Sequence, residues 1–323
     1  MRFRILGHLE VHTPDGWTAV SAPKWRSLLA CLLVRPGQLV PTETLIFELW
    51  GDNPPSTANN MVSIYVHRLR KEVIGDPDGQ TLVHRAPGYL LRVASGDLDS
   101  QVFESLVAEA RAALAAAQPE RAAELLAEAL GLWRGPLLAD VSPSPMLAGH
   151  VSQAAERRLD TTELRIEADL ACGRAARLVA ELRGLVGDHP LRERLWALLM
   201  RALDEAGRRA EAFEAYALAR RTIAEELGVE PGSELQRLYA ELLAADESSA
   251  STSGTPTSSA RGARPAPAAA RGPGPADAAG SGKNGDAGGS TTTPADAGAV
   301  PGQATAADPG ADAAGGTDRK SVV

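Results

Sequence analysis

Large apolar side chains stop abruptly near residue 247. From Ser248 to Val323 the only Val, Leu, Ile, Met or aromatic residues are Val300, Val322 and Val323, and Ala, Gly, Ser, Thr, Pro and Asp fill most of the rest. Such a segment cannot bury enough apolar surface to offset the chain entropy lost on folding. The composition therefore predicts a disordered low-complexity tail over 248–323 and confines the folded protein to 1–247.

Within that folded part the charge is divided. Residues 1–95 carry 10 Lys and Arg against 8 Asp and Glu, a formal +2. Residues 96–247 carry 17 against 27, a formal −10, and the tail is neutral, with 6 of each. The net −8 of the chain thus belongs to the second part and does not argue against a nucleic-acid module in the first. Cys31 and Cys172 each sit in an apolar helical pattern, and two lone cysteines make neither a disulfide framework nor a metal site, so buried free thiols are expected. The amino-terminal MRFRILGHLEV lacks the apolar stretch and cleavage site of a secretory signal, and no run approaches the ~18 apolar residues of a membrane helix. A soluble cytoplasmic protein with no membrane partner is expected.

The first 95 residues read as strands, helices and a hairpin. Phe3, Ile5, Leu9 and Val11 fall at alternating positions, Pro14-Asp15-Gly16 marks a turn, and Trp17–Val20 supplies a third strand. Lys24–Val34 has Trp25, Leu28, Leu29, Leu32 and Leu33 on one helical face, ended by Pro36-Gly37. Leu39-Val40 is a short extended piece. Thr42 is placed to cap a helix over Glu43–Trp50, with Leu45, Ile46 and Leu49 inward, and Gly51 to Pro55 break it. A longer helix is predicted over 57–74, and Thr81–Arg85 and Tyr89–Val93 flank Ala86-Pro87-Gly88 as a hairpin.

Beyond Leu98 the pattern is helical to Ala245, broken at Gln118-Pro119, Gly135-Pro136, Ser142–Pro145, Gly173, Asp188–Pro190, Gly207 and Gly228–Gly232. Leu170 to Arg174 and Asp204 to Arg208 correspond at a spacing of 34 residues, the tetratricopeptide period, and Gln118 to Ala123 resembles an earlier copy. Stacked helix pairs or a plain helical bundle both satisfy this pattern.

On a 100° wheel the helix over 57–74 puts Ala58, Val62, Tyr65, Val66, Leu69 and Val73 on one stripe. Opposite lie Asn60, Ser63, Ile64, His67, Arg68 and Lys71, with Met61 and Arg70 at the margins. Amides, a hydroxyl and cations on one face suit a major groove, where Arg pairs with guanine or neutralises phosphate. Asn60 near the helix start favours a phosphate, and the exposed Ile64 and Met61 suit thymine methyls. A solvated polar face explains the same residues less economically, because a short helix, a break and this longer helix form a helix-turn-helix. Arg85 on the following hairpin then stands where a wing enters the minor groove.

Residues 1–95 resemble the OmpR-type winged-helix domain, on Val66-His67-Arg68-Leu69-Arg70-Lys71 and on Arg85-Ala86-Pro87-Gly88-Tyr89. Arg2 to Gly7, Leu9-Glu10-Val11, Pro23-Lys24, Leu49-Trp50-Gly51 and Pro87 to Leu90 are similar more narrowly to the SARP family, the Streptomyces antibiotic regulatory proteins. Leu132-Trp133-Arg134-Gly135-Pro136-Leu137, His189-Pro190-Leu191-Arg192-Glu193, Gly207-Arg208, Ala212, Tyr216 and Glu226 to Gly232 resemble the bacterial transcriptional activator domain that follows the winged helix in that family.

The resemblance implies a mainly α fold with a small β part. A winged helix-turn-helix domain (1–95) precedes an all-α tetratricopeptide-like domain (96–247). It implies a transcriptional activator of a secondary-metabolite (antibiotic) gene cluster. Its partners would be double-stranded DNA, at direct repeats near promoters, and RNA polymerase holoenzyme. Head-to-tail protomers on DNA and a nucleoid-associated place in the cytoplasm follow. It turns Met61, Ile64 and Arg68 toward bases, Asn60, Tyr65, His67 and Arg70 toward the DNA backbone, and makes Arg85 the wing residue. Asn60, Met61 and Ser63 depart from the basic or Gln- and Thr-rich segment frequent in the family.

No receiver domain is expected ahead of the winged helix. Gly280-Ser281-Gly282-Lys283-Asn284 lacks the first glycine and the Ser/Thr of a P-loop, with Asp277 at the glycine position. The histidines His8, His12, His67, His84, His150 and His189 have no metal-ligand spacing, and no catalytic triad is arguable. Neither a cofactor nor an enzyme activity is expected. The alternatives carried forward are an adaptor whose winged helix binds protein, and repression through the same DNA contacts.

Overall fold

The computed structural model describes residues 1–76 and 78–252. The tail expected from 248, with its Gly280–Asn284 segment, lies outside the described residues apart from the backbone to Thr252.

The chain opens with a three-stranded antiparallel sheet of β1 (Phe3–Arg4), β2 (Glu10–Thr13) and β3 (Gly16–Ala19), with Phe3 opposite Val11 and His12 opposite Trp17. Helices α1 (Pro23–Leu33), α2 (Thr42–Trp50) and α3 (Ala58–Arg68) follow. A second antiparallel sheet has the order β4 (Val40–Pro41), β6 (Gly88–Leu91), β5 (Leu82–Arg85). Leu28 to Leu33, Leu45, Val62, Val66, Leu82 and Leu91 close the core between the helices and this sheet.

Seven further helices complete the described chain: α4 (Asp99–Ala115), α5 (Pro119–Gly131), α6 (Pro145–Ala171), α7 (Ala175–Asp188), α8 (Glu193–Glu205), α9 (Arg209–Leu227) and α10 (Ser233–Thr252). The fold is mainly α with a small β part, a winged helix-turn-helix followed by tetratricopeptide-like helices. The starts of α7 and α9 are 34 residues apart, as the Gly-Arg pairs imply. The turn before each is the same: Gly173 and Gly207 are left-handed, at φ 71° and 74°. The next residue's N–H bonds back across the helix end, Arg174 to the Asp169 carbonyl and Arg208 to that of Leu203. A third copy precedes α5, where Gln118 bonds the Ala113 carbonyl and Ala117 takes the left-handed position, at φ 54°.

One buried cluster runs without a break from Phe3 through α1–α6 to Ala168, and a second spans Leu159 to Leu242. The loop between α5 and α6 lies along the segment after β1. Arg134, Leu138 and Ala139 donate backbone N–H groups to the carbonyls of Leu6, Ile5 and Gly7, at 2.8, 2.9 and 3.0 Å. Asp99, at the start of α4, accepts from the N–H groups of Ile5 and Leu6, and Asp140 accepts from that of Leu9. Glu48 on α2 holds the start of α6 through Ser144 and the Met146 N–H. The winged helix is therefore fixed to the helices behind it by backbone bonds and by the carboxylates of Asp99, Asp140 and Glu48, of which Asp99 is buried, as well as by packing. Farther along, Arg192 binds Glu156, Asp160 and the fully buried Glu163, tying α6 to α8.

Three details differ from the sequence expectations. Thr42 does not cap a helix; it begins α2, and its hydroxyl and N–H both bond the Pro87 carbonyl. The cause is the pairing of Pro41 with Gly88, which brings the hairpin turn beside Thr42. The helix over 57–74 is α-helical only to Arg68, and Leu69–Ile74 forms a wider π-type turn. That widening moves the later residues off a 100° wheel, so Ile74 is buried where Val73, here half-buried, was expected. Cys31 is buried, and with Glu48 nearby its thiol is pushed up to about 12, but Cys172 is half-buried at the end of α6 rather than inside a helix.

Candidate nucleic-acid interface

Helix α3 presents one face to the core and the other to solvent. Ala58, Val62, Val66 and Leu69 are buried, while Asn60, Ser63, Ile64, His67, Arg68 and Lys71 are exposed, and Met61 and Arg70 are half-exposed. Ile64 is 47% exposed in the middle of this polar face. Tyr65 is half-buried, its ring stacked on Trp50 of α2 at 6.2 Å, which leaves it between the two faces. Among the described residues no side chain caps the start of α3. Its first-turn N–H groups and positive dipole end suit an anion there.

The hairpin β5–β6 stands beside this face. His84 and Arg85 are exposed at its tip, and His84 lies across from Tyr89, with ring centroids 5.0 Å apart. The buried Tyr89 reaches from β6 to α3, its hydroxyl 3.3 Å from Ser63 Oγ. Ser63 is also within 3.2 Å of the Asn59 carbonyl. A residue of the hairpin thus touches the exposed face of α3 directly, a contact the sequence signalled only through the Gly88-Tyr89 pair.

The basic residues divide by what they already hold. Arg68 pairs with Glu72 one turn on, an exposed contact of the kind worth about 0.3–0.5 kcal/mol, which a phosphate or base would readily displace. Arg70 turns toward the hairpin, its Nε donating to the Leu82 carbonyl at 2.8 Å. Its guanidinium carbon would lie 3.0 Å from a Cβ at Gly79. Among the site residues expected from sequence, Asn60, Met61, Ser63, Ile64, His67, Arg68 and Lys71 share the α3 face or its margin. Arg85 joins them on the wing, and Arg70 binds the wing's base. Glu72, which holds Arg68, and Asp76, which holds the wing, were not singled out by sequence.

Asp76 is buried and accepts the N–H groups of Gln80, Thr81 and Leu82 at 2.8 to 2.9 Å. Burial opposes its ionisation, but these three donors and Arg70 outweigh it and hold the carboxyl below its ordinary range. A carboxylate so depressed contributes stability that is present above the unfolded value of about 3.9 and lost as the pH falls through the lower folded value. Asp76→Asn should therefore be less stable than the parent at pH 6, with the gap shrinking toward pH 3. Urea unfolding across that range reads it, and a gap independent of pH would count against the assignment.

Residues 19–91 match the family described as Transcriptional regulatory protein, C terminal, and residues 98–243 match the Bacterial transcriptional activator domain. Regulatory protein DnrI of Streptomyces peucetius is 35% identical over 253 residues, which cover 76% of this chain and 93% of that protein. The chain belongs to the SARP family of transcriptional activators. Regulatory protein AfsR of Streptomyces griseus is 40% identical to this SARP over 82% of its chain, but this chain spans only 27% of that relative's length. Among solved structures, Mycobacterium tuberculosis EmbR in complex with a low affinity phosphopeptide aligns with a TM-score of 0.73 at 32% identity. That alignment covers 78% of this chain and 68% of the other. The relatives are regulators of transcription and not enzymes, so α3 and its wing belong to the DNA-binding domain of a SARP. Among the described residues no helix is long and apolar enough to cross a membrane.

Proposed function

We propose that this SARP lays the exposed face of α3 in a major groove and inserts Arg85 of the wing into the adjacent minor groove. The observation that carries this reading is Ile64, an apolar side chain left exposed in the centre of a face of amides and cations. In water that placement gains nothing; against a thymine methyl it gains apolar contact. Met61, Ile64 and Arg68 read bases. Asn60, Ser63, His67 and Lys71 contact the backbone, and Arg70 works through the wing it braces.

The operator is a direct repeat near a promoter, bound by head-to-tail protomers. The helices behind the winged helix meet RNA polymerase holoenzyme and activate a secondary-metabolite gene cluster, and the protein works in the cytoplasm at the nucleoid. Rigid attachment of the winged helix to α4–α6 supports this reading, because a protomer oriented by DNA then also orients its helical surface.

Genome-wide footprinting supplies the operator. On that operator, binding should weaken steeply with salt through counterion release. Arg68→Ala should cost about 1–3 kcal/mol, roughly five- to 150-fold in affinity, and relax sequence preference at one base pair. His67→Ala should weaken all sequences alike. A salt-independent footprint, or Arg68→Ala with unchanged preference, would overturn the assignment. Reporter output that rises on deletion would point to repression instead.

A further inference from the structure

Between Asp52 and Asp76 the chain has a single carboxylate, Glu72, beside the cations Arg68, Arg70 and Lys71. It is exposed, in the π-type turn that continues α3. Three effects oppose an acid at this place. Glu72 stands in the last turn of the helical segment from Ala58 to Ile74, where the helix dipole favours cations. It follows Arg68 by four residues, the less favourable order for a helical ion pair. It also lies beside residues proposed to meet phosphates, which repel it. Helix stability is therefore a poor account of Glu72.

The bond itself gives a better one. Only Nη1 of Arg68 is engaged, by Glu72 Oε1, and among the described residues the guanidinium has no other partner. Nε and Nη2 remain as a second edge of the planar fork, and two such donors side by side match N7 and O6 of guanine. A base edge is neutral, so Arg68 can keep Glu72 while it reads guanine. A phosphate brings a second negative charge to the same guanidinium, and it must displace Glu72 or lie against it. The pair is exposed and weak, so Glu72 biases Arg68 without blocking it.

We infer that Glu72 is a specificity-determining residue, which turns Arg68 away from the DNA backbone and toward a base. The inference rests on the reading of α3 as the major-groove helix. On unrelated DNA a cation already paired to Glu72 adds little to phosphate binding, while at the operator the same side chain pairs with guanine. Preference then comes from weakening the wrong complex, not from strengthening the right one.

Glu72→Gln tests this in the full chain, with the operator duplex found by footprinting and a scrambled duplex of the same length. The amide keeps the shape and an acceptor and removes the charge. Arg68, released, becomes one further phosphate neutraliser on scrambled DNA. There the slope of log affinity against log salt should steepen by about 0.9, equivalent to about fivefold tighter binding at about 0.15 M salt. Operator affinity should stay within about twofold of the parent's, so that the preference for operator falls several-fold. In an Arg68→Ala background Glu72→Gln should leave the preference unchanged, because Glu72 acts through Arg68.

A preference that does not fall in Glu72→Gln, either because nothing tightens or because both duplexes tighten alike, overturns the role of Glu72. So does a fall that persists in the Arg68→Ala background, which would assign the effect to the carboxylate alone. Arg68→Ala by itself separates these outcomes from the reading beneath them. If it leaves base preference intact, the α3 reading fails and the inference with it. If it relaxes that preference while Glu72→Gln changes nothing, only the role of Glu72 is lost.

Discussion

Gly88→Ala is expected to lower the melting temperature by roughly 10 °C or more and to weaken operator binding with it. The glycine lies opposite Pro41 in the β4–β6 pair. A Cβ built there would stand 2.0 Å from the Val40 carbonyl oxygen and 2.7 Å from Pro41 Cα. Both neighbours are backbone, so no side chain can turn aside, and β4 must move away from β6. Overpacking of this kind costs about 1–3 kcal/mol. Separation would also strain the bonds from Thr42 to the Pro87 carbonyl and from Gly37 to that of Leu91, at roughly 1 kcal/mol each. The expected total is about 3–5 kcal/mol, which for a domain of this size corresponds to that thermal shift. The effect on DNA follows from the next residue. Tyr89 touches Ser63 on the exposed face of α3 and His84 at the wing tip, so a displaced β6 shifts both surfaces proposed to contact DNA. Thermal unfolding and operator titration read the two effects. A melting temperature within about 2 °C of the parent, which corresponds to less than about 1 kcal/mol, would falsify the close-approach account.

What could be read beforehand was what local chemistry decides. Gly173, Gly207 and the stretch from Gly228 to Gly232 end helices where they stand, because turn residues act on their own backbone. The buried stripe of α3 is likewise a local periodicity, and Ala58, Val62, Val66 and Leu69 keep to it. It drifts only where the helix widens beyond Arg68, and nothing in the residues Leu69 to Ile74 announces that change of period. Long-range partners were not legible. Thr42 has the composition of a helix cap, yet its hydroxyl goes to a carbonyl 45 residues away. Leu132 to Leu137 were visible as a family motif, but the work of Arg134, Leu138 and Ala139 as a strap on Ile5 to Gly7 depends on a fold that brings the two segments together. The same holds for the site. The α3 face was read as a set, whereas Arg70's engagement with Leu82 and Arg68's with Glu72 required the hairpin and the turn in place.

The joint between the two halves supplies the second large effect, at Asp99. This residue is 1% exposed and begins α4, where a carboxylate complements the helix dipole. Its oxygens accept the Ile5 N–H at 2.9 and 3.0 Å and the Leu6 N–H at 3.0 Å, and Arg134 stands 3.3 Å away. Asp99→Ala would leave two buried backbone donors without partners, at about 1–3 kcal/mol each. It would also free Arg134 from one of its carboxylates. An overall loss of about 3–5 kcal/mol is expected, enough to loosen the winged helix from α4 and the α5–α6 loop. Asp99→Asn keeps an acceptor in place and should cost much less.

The pH dependence separates charge from hydrogen bonding. Burial raises the Asp99 carboxyl above its ordinary range, against the pull of Ile5, Leu6 and Arg134. With the folded value raised, the parent's advantage is full below the unfolded value of about 3.9 and declines as the pH rises through the folded one. The gap between the parent and Asp99→Asn should therefore be widest in acid and narrow toward neutrality, opposite in sense to Asp76→Asn. Denaturant unfolding of both asparagine variants from pH 3 to 7 would show two trends of opposite slope. If Asp99→Ala were as stable as Asp99→Asn, the two N–H groups would have found water or other partners, and the carboxylate would not be what holds β1 to α4.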